Sequence, residues 1–169
     1  TTKQIATKIA IPTIIVKIDT TTFTRVGALT LNAGENDGGD ATIYGTNLYV
    51  SCDTSPAIVV KIDLTTFTRT GAVTLTQNRG VSITNDGAKL YVTCRDATDL
   101  GVLVRIDIAT FLEDGTVTFT AGRTSPVDSV IVGNYIYVIC YSGSTGYVCK
   151  IDKLNWTYNT DINISPRYL

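Results

Sequence analysis

Gly80-Val81-Ser82-Ile83-Thr84-Asn85-Asp86-Gly87-Ala88-Lys89-Leu90-Tyr91-Val92-Thr93-Cys94 holds two short alternating runs on either side of one tight turn. Asn85-Asp86-Gly87 supplies the positive φ that a hairpin turn requires, and 80–84 and 89–94 alternate apolar with polar residues on its two sides. The stretch predicts a hairpin. After a loop at 96–99, residues 102–107 predict a third strand and 115–120 a fourth, and no segment carries the 3.6-residue period of a helix.

The third strand ends in a triplet that recurs: Lys17-Ile18-Asp19, Lys61-Ile62-Asp63, Arg105-Ile106-Asp107 and Lys150-Ile151-Asp152, at intervals of 44, 44 and 45 residues. An aromatic stands four residues after each Asp, namely Phe23, Phe67, Phe111 and Trp156. One four-stranded unit is being copied, which predicts an all-β fold of antiparallel β-propeller blades. Three complete units and one composite or shared blade give about four blades in residues 13–160, flanked by tails at 1–12 and 161–169. The tails alternate like strands, over Gln4 to Ile11 and Asp161 to Ser165, and each is expected to add to its own sheet or to another chain. Three arrangements satisfy an incomplete ring: a four-bladed ring with 5–11 joining the C-terminal strands, two chains in an eight-bladed ring, or a head-to-tail array.

Composition narrows the partners. The chain of 169 residues has 14 basic and 15 acidic residues for a net charge of −1, so it offers no basic field for nucleic acid and no stripe for a membrane surface. No apolar run nears the roughly 20 residues that cross a bilayer as a helix. Twenty-nine threonines, 17% charged residues and the sequons at Asn155 and Asn163 point to an extracellular or cell-surface protein with N-glycosylation candidates there. A chain beginning at Thr1 without any Met reads as a processed form or a segment of a longer product.

The residues able to carry chemistry are few. With no His, a Ser-His-Asp or Cys-His nucleophile and a His-bearing zinc site are excluded. No cofactor is called for. The repeated Asp residues are expected to cap the turns after them, and the Lys or Arg two positions earlier to be surface charges. Cys52, Cys94 and Cys140 close equivalent strands and are expected to be buried, while a hairpin around 143–146 would set Cys149 opposite Cys140 and allow a disulfide. Glu35, Arg79 and Arg123 each follow an outer strand by four residues, which makes them a candidate ligand site for an anion or sugar acid at the channel mouth. Glu35 to Asp40 is oxygen-rich without the spacing of a calcium loop, and Arg95 to Asp99 is a further loop candidate.

Asn85-Asp86-Gly87-Ala88-Lys89-Leu90-Tyr91-Val92-Thr93-Cys94 with Val102 to Asp107 resembles the YVTN-type β-propeller repeats, and the likeness runs from about Ile14 to Tyr158. It implies a propeller, usually of about seven blades, on a scaffold shared by surface-layer and adhesin-like proteins and by enzymes. The other units depart from it at Gly45-Thr46-Asn47 and Gly133-Asn134. The residues favour a non-catalytic extracellular structural subunit that oligomerises or forms filaments by strand addition. A glycan- or protein-binding module comes second, and a lactonase-like metal enzyme third.

Overall fold

The computed structural model describes residues 3–7 and 13–164. It is all β, in four antiparallel sheets that follow one another along the chain. The first holds β1 (Lys3–Thr7), β2 (Ile14–Asp19) and β3 (Thr24–Thr30). The second is β4 (Gly38–Tyr44), β5 (Asn47–Cys52), β6 (Ile58–Asp63) and β7 (Thr68–Thr74). The third is β8 (Asn78–Asn85), β9 (Lys89–Arg95), β10 (Gly101–Asp107) and β11 (Leu112–Thr118). The fourth is β12 (Pro126–Val132), β13 (Tyr135–Ser142), β14 (Thr145–Asp152) and β15 (Thr157–Asn163). Three sheets are four-stranded meanders, and the first has three strands among the described residues. The four are called blades 1 to 4 below.

Residues 3–7, expected to add to their own sheet or to another chain, take the first course and pair with β2 of their own blade, with Ile5 opposite Val16. Residues 8–12 and 165–169 of the two tails lie outside the described residues. The C-terminal boundary at 160 falls inside β15.

Local chemistry sets each unit. The triplet Asp caps the turn after it, as its spacing predicts. Asp19 accepts from the Thr21 and Thr22 amides at 2.7 and 3.0 Å, Asp63 from Thr65 and Thr66, Asp107 from Thr110, and Asp152 from Leu154 and Asn155. These amides hold the Asp19 and Asp63 carboxyls below their ordinary range. The turn then puts its aromatic in the left-handed region, with φ of 53 to 55° at Phe23, Phe67, Phe111 and Trp156. A bulky residue rarely sits there, and the same strain in all four blades points to a shared task for the ring.

Blades stack face on face. Tyr91, Leu103, Val117 and Phe119 of blade 3 bury against Ile136, Val138, Cys140, Cys149 and Ile151 of blade 4. Blade 2 presents Tyr49, Ala57, Val59 and Leu75 to Leu90, Val92, Cys94 and Ile106 of blade 3. Blade 1 presents Ile15 and Leu31 to Leu48, Val50, Cys52 and Ile62 of blade 2. Each fully buried aliphatic contributes roughly 1.5–3 kcal/mol, so these faces are the main source of stability.

Cys52, Cys94 and Cys140 are buried as their alternation predicts, and all four cysteines are free thiols. The disulfide that the sequence allows between Cys140 and Cys149 is not formed. The loop between β13 and β14 is only Gly143-Ser144, so Cys140 faces Tyr147 and Cys149 faces Val138, leaving the sulfurs diagonal and 3.6 Å apart. Gly143 takes the positive φ of 59° that so short a turn demands.

Burial pushes the Cys52 thiol up to about 12, helped by Glu35 and Asp37, and Cys94 is raised by the same desolvation. The hydrogen bond with Cys149, together with burial, drives Cys140 far up as well. The hydrogen bond with Cys140 lowers Cys149 instead, but all four thiols are buried, so iodoacetamide at pH 8 is expected to leave the folded protein unmodified and to label four cysteines after unfolding. Rapid labelling of the native chain would contradict this burial.

Candidate functional site at the blade joints

The repeated aromatic closes the joint between blades. The Phe67 ring of blade 2 lies over Gly27 and beneath Lys17 of blade 1, with Lys17 Nζ 5.5 Å from its centroid. Phe111 of blade 3 meets Gly71, Lys61 and Tyr49 of blade 2, at 5.8 Å from Lys61 Nζ and 5.7 Å from the Tyr49 ring. Trp156 of blade 4 meets Gly115, Arg105 and Tyr91 of blade 3, at 4.5 Å from the Arg105 guanidinium and 5.8 Å from Tyr91. The basic residue of the triplet in blades 1 to 3 is thus the roof of an aromatic socket rather than a free surface charge. Cation–π contact of this kind is worth about 0.5–1 kcal/mol at exposed sites and about 2 when desolvated.

Glycine clears the ring by different margins, most narrowly beneath Trp156. A Cβ at Gly115 would stand 2.6 Å from Trp156 Nε1, and one at Gly27 would stand 3.3 Å from the Phe67 ring. The backbone bulge that falls between the triplet's basic residue and its Ile in every blade bends the outer strand just before these glycines.

Glu35, Arg79 and Arg123, expected together at the channel mouth, each have a different partner. Glu35 is buried in the connection between blades 1 and 2, where both its oxygens accept from Arg69 Nε of β7, at 2.9 and 3.0 Å, and one accepts the Asn32 amide. Arg79 donates to Asp53 at 3.1 Å. Arg123 donates to Asp161 at 2.7 Å and stacks on Tyr147 at 3.6 Å. The position that Arg69 holds is itself repeated: its counterpart Glu113 accepts from the Thr76 amide and hydroxyl of the preceding connection at 2.8 and 2.6 Å. The Glu35–Arg69 and Arg123–Asp161 pairs fasten an outer strand to a connection, and Arg79 ties β8 to the loop after β5.

A cleft of about 430 Å³ opens where β4, β8 and β12 begin side by side, lined by Asp40, Asp53, Val81, Ser82, Val127 and Asp128. Asp40 accepts the Ile83 amide of the next blade at 3.1 Å and its neighbour Ala41 at 2.7 Å, and Asp128 accepts Ser129 at 2.7 Å. The cleft's carboxylates are therefore directed at backbone and at Arg79. Among the described residues no group of three His, Cys, Asp or Glu side chains is placed to hold a metal, the 35–40 segment included. The 95–99 loop closes on itself, since Asp96 accepts from Thr98 and Leu100. Asn155 and Asn163 are exposed, with the Asn155 amide group donating to Asp152 at 3.0 Å; Ser165 of the second sequon is outside the described residues.

Asp86 ties blade 3 to blade 4. It receives the Tyr91 hydroxyl and Lys153 Nζ, each at 2.9 Å, with the Ala88 and Lys89 amides. Burial raises its pKa, but these four donors outweigh that and leave it at about 2. An unfolded Asp titrates near 3.9, so the joint contributes fully above that value and is lost as pH falls from about 4 toward 2. Asp86→Asn is expected to lower Tm at pH 7 and to flatten the fall of Tm between pH 4 and 2. An unchanged acid limb would remove Asp86 from this role.

No protein-family model matches the sequence, and no curated relative matches it. Solved structures do. Hydrazine synthase from Kuenenia stuttgartiensis superposes with a TM-score of 0.78 at 16% identity, over 90% of this chain and 43% of that one. The chain is a β-propeller. The dihydro-heme d1 dehydrogenase NirN (TM-score 0.70, 12% identity, 96% of this chain and 35% of that one) and the Dos1 propeller (0.65, 12%, 92% and 44%) share the fold. At these identities the likeness concerns fold alone, and the chain spans less than half the length of each structure.

Proposed function

We propose that the chain is a non-catalytic structural subunit, at the cell surface or outside the cell, that assembles through the uncovered apolar face of blade 4. The observation that carries this reading is an inequality between equivalent positions. Leu31, Leu75 and Phe119 are each no more than 4% exposed, buried on the following blade, whereas Ile164 at the same place in blade 4 is 45% exposed. Val117 is 6% exposed and its counterpart Ile162 is 61% exposed. Val130, Ile139 and Tyr141 extend the same uncovered apolar face. An uncovered face with the composition of a buried one marks an interaction surface. Blade faces, rather than addition of residues 3–7 as a strand, are the means, since those residues are already paired with β2. Kinship with YVTN-type propellers belongs to the same proposal, supported by the Asn85 to Cys94 pattern.

Negative-stain imaging of the native chain beside an Ile162→Asp/Ile164→Asp double variant tests it. Rings or arrays are expected from the native chain and lone four-blade arcs from the variant. Lone arcs in both samples would overturn the assembly role.

A further inference from the structure

Blade 4 carries two thiols where its neighbours carry one. Cys140 stands where blades 2 and 3 have Cys52 and Cys94, but Cys149 stands where they have Val60 and Val104, fully buried in the same joints. The register is identical in the three blades: Val60 faces Val50, Val104 faces Val92 and Cys149 faces Val138. Cysteine in place of valine therefore sets a second sulfur on the buried face, 3.6 Å from the first, with neither exposed to water. The rigid sheet holds a dithiol in contact.

The surroundings of the pair are more polar than the rest of the joint. Asp161 stands opposite Cys149 on β15 and accepts from Arg123 at 2.7 Å and from the Tyr158 hydroxyl. The hydrogen bond with Cys140, and then one with Tyr158, lower the Cys149 thiol against its burial, and the Arg123 charge favours the thiolate at both cysteines. Arg123 Nε is itself buried without a hydrogen-bond partner among the described residues, which leaves a donor to answer negative charge nearby. The Arg123–Asp161 pair is partly exposed, so the way in from water passes it.

We infer that Cys140 and Cys149 form a two-coordinate site for a soft monovalent metal ion of the Cu(I) kind. Thiolates select such ions over hard ones. Among the described residues no third His, Cys, Asp or Glu side chain is placed to complete a zinc set around the pair. Metal–thiolate bonds of about 2.3 Å put collinear sulfurs roughly 4.6 Å apart. The sulfurs then part by about 1 Å, a side-chain adjustment, whereas a disulfide between diagonal positions draws the strands themselves together. No electron is transferred: each thiol loses its proton to solvent, two metal–sulfur bonds form, and the bis-thiolate keeps one negative charge for Arg123 to offset.

Competition for Cu(I) against the coloured chelator bicinchoninate, without oxygen, tests this on the full chain, both native and refolded in the presence of the Cu(I) chelate. The native protein is expected to withdraw one equivalent, to release two protons as it does so, and to take up no zinc of comparable affinity. Cys149→Val restores the residue of blades 2 and 3, so it is expected to fold with Tm little changed and to weaken the withdrawal by roughly a hundredfold, as is Cys140→Ala. Cys52→Ala and Cys94→Ala are expected to leave it unaltered. Withdrawal by Cys149→Val equal to that by the native chain overturns the site, as does none by the native chain even after refolding with Cu(I). Equal losses from Cys52→Ala or Cys94→Ala, or zinc bound as tightly, overturn it too. Each of these results leaves the assembly reading standing, because the pair faces blade 3 and not the uncovered side of blade 4.

Discussion

Leu103→Ala is expected to lower the unfolding free energy by about 3–4 kcal/mol, while Val148→Ala, the same repeat position one blade later, costs less than about 1 kcal/mol in the dilute single chain. Leu103 is fully buried between blades 3 and 4, so truncation removes transfer energy and leaves a cavity walled by rigid strands. Val148 faces the uncovered side of blade 4 beside Ile139 and Tyr137, where water fills any space created. Urea unfolding of the two variants at low protein concentration checks the difference. For a chain of this length the Leu103 loss corresponds to a fall in Tm on the order of 10 °C. Equal losses at the two sites would show that blade 4 is covered within the single chain.

Arg69→Ala is expected to cost about 3 kcal/mol, and Glu35→Gln clearly less. The pair is asymmetric in exposure: the Arg69 side chain retains 27% of its surface in water and Glu35 only 5%. Removing the arginine strands a buried carboxylate with only the Asn32 amide, and an uncompensated buried charge is costly. Removing the carboxylate charge frees a guanidinium that turns outward, and Gln still accepts one hydrogen bond. Tm of the two variants at pH 7 decides. A larger loss for Glu35→Gln would mean that Arg69, not Glu35, is the group that needs its partner.

Much of the architecture is written in local sequence. Period, turn glycines, Asp caps and buried cysteines follow from residues within a few positions of one another, where spacing and φ preference act directly. The joints do not. Glu35 meets Arg69 and Arg123 meets Asp161, 34 and 38 residues away, so the repeat puts these charges at equivalent places without saying that each has a private counter-ion. The basic residue of the triplet was legible as a charge, and its seat over a ring was not, because that ring comes from the next unit. One signal was present: an aromatic at fixed distance from a cap and a glycine ten residues after each Lys17, Lys61 and Arg105, broken only by Thr160. The Cys149 register was missed by two positions because Gly143-Ser144 makes a tighter loop than four turn-forming residues suggest.

The aromatic turn and the socket behind it have a bearing on how such a gene changes size. Each segment of 44 residues encodes both halves of its own coupling, plug in front and receptacle behind, so an in-frame duplication or loss of one segment produces neighbours that already fit. No second mutation has to supply a partner. Lineages carrying this module are therefore free to vary in copy number.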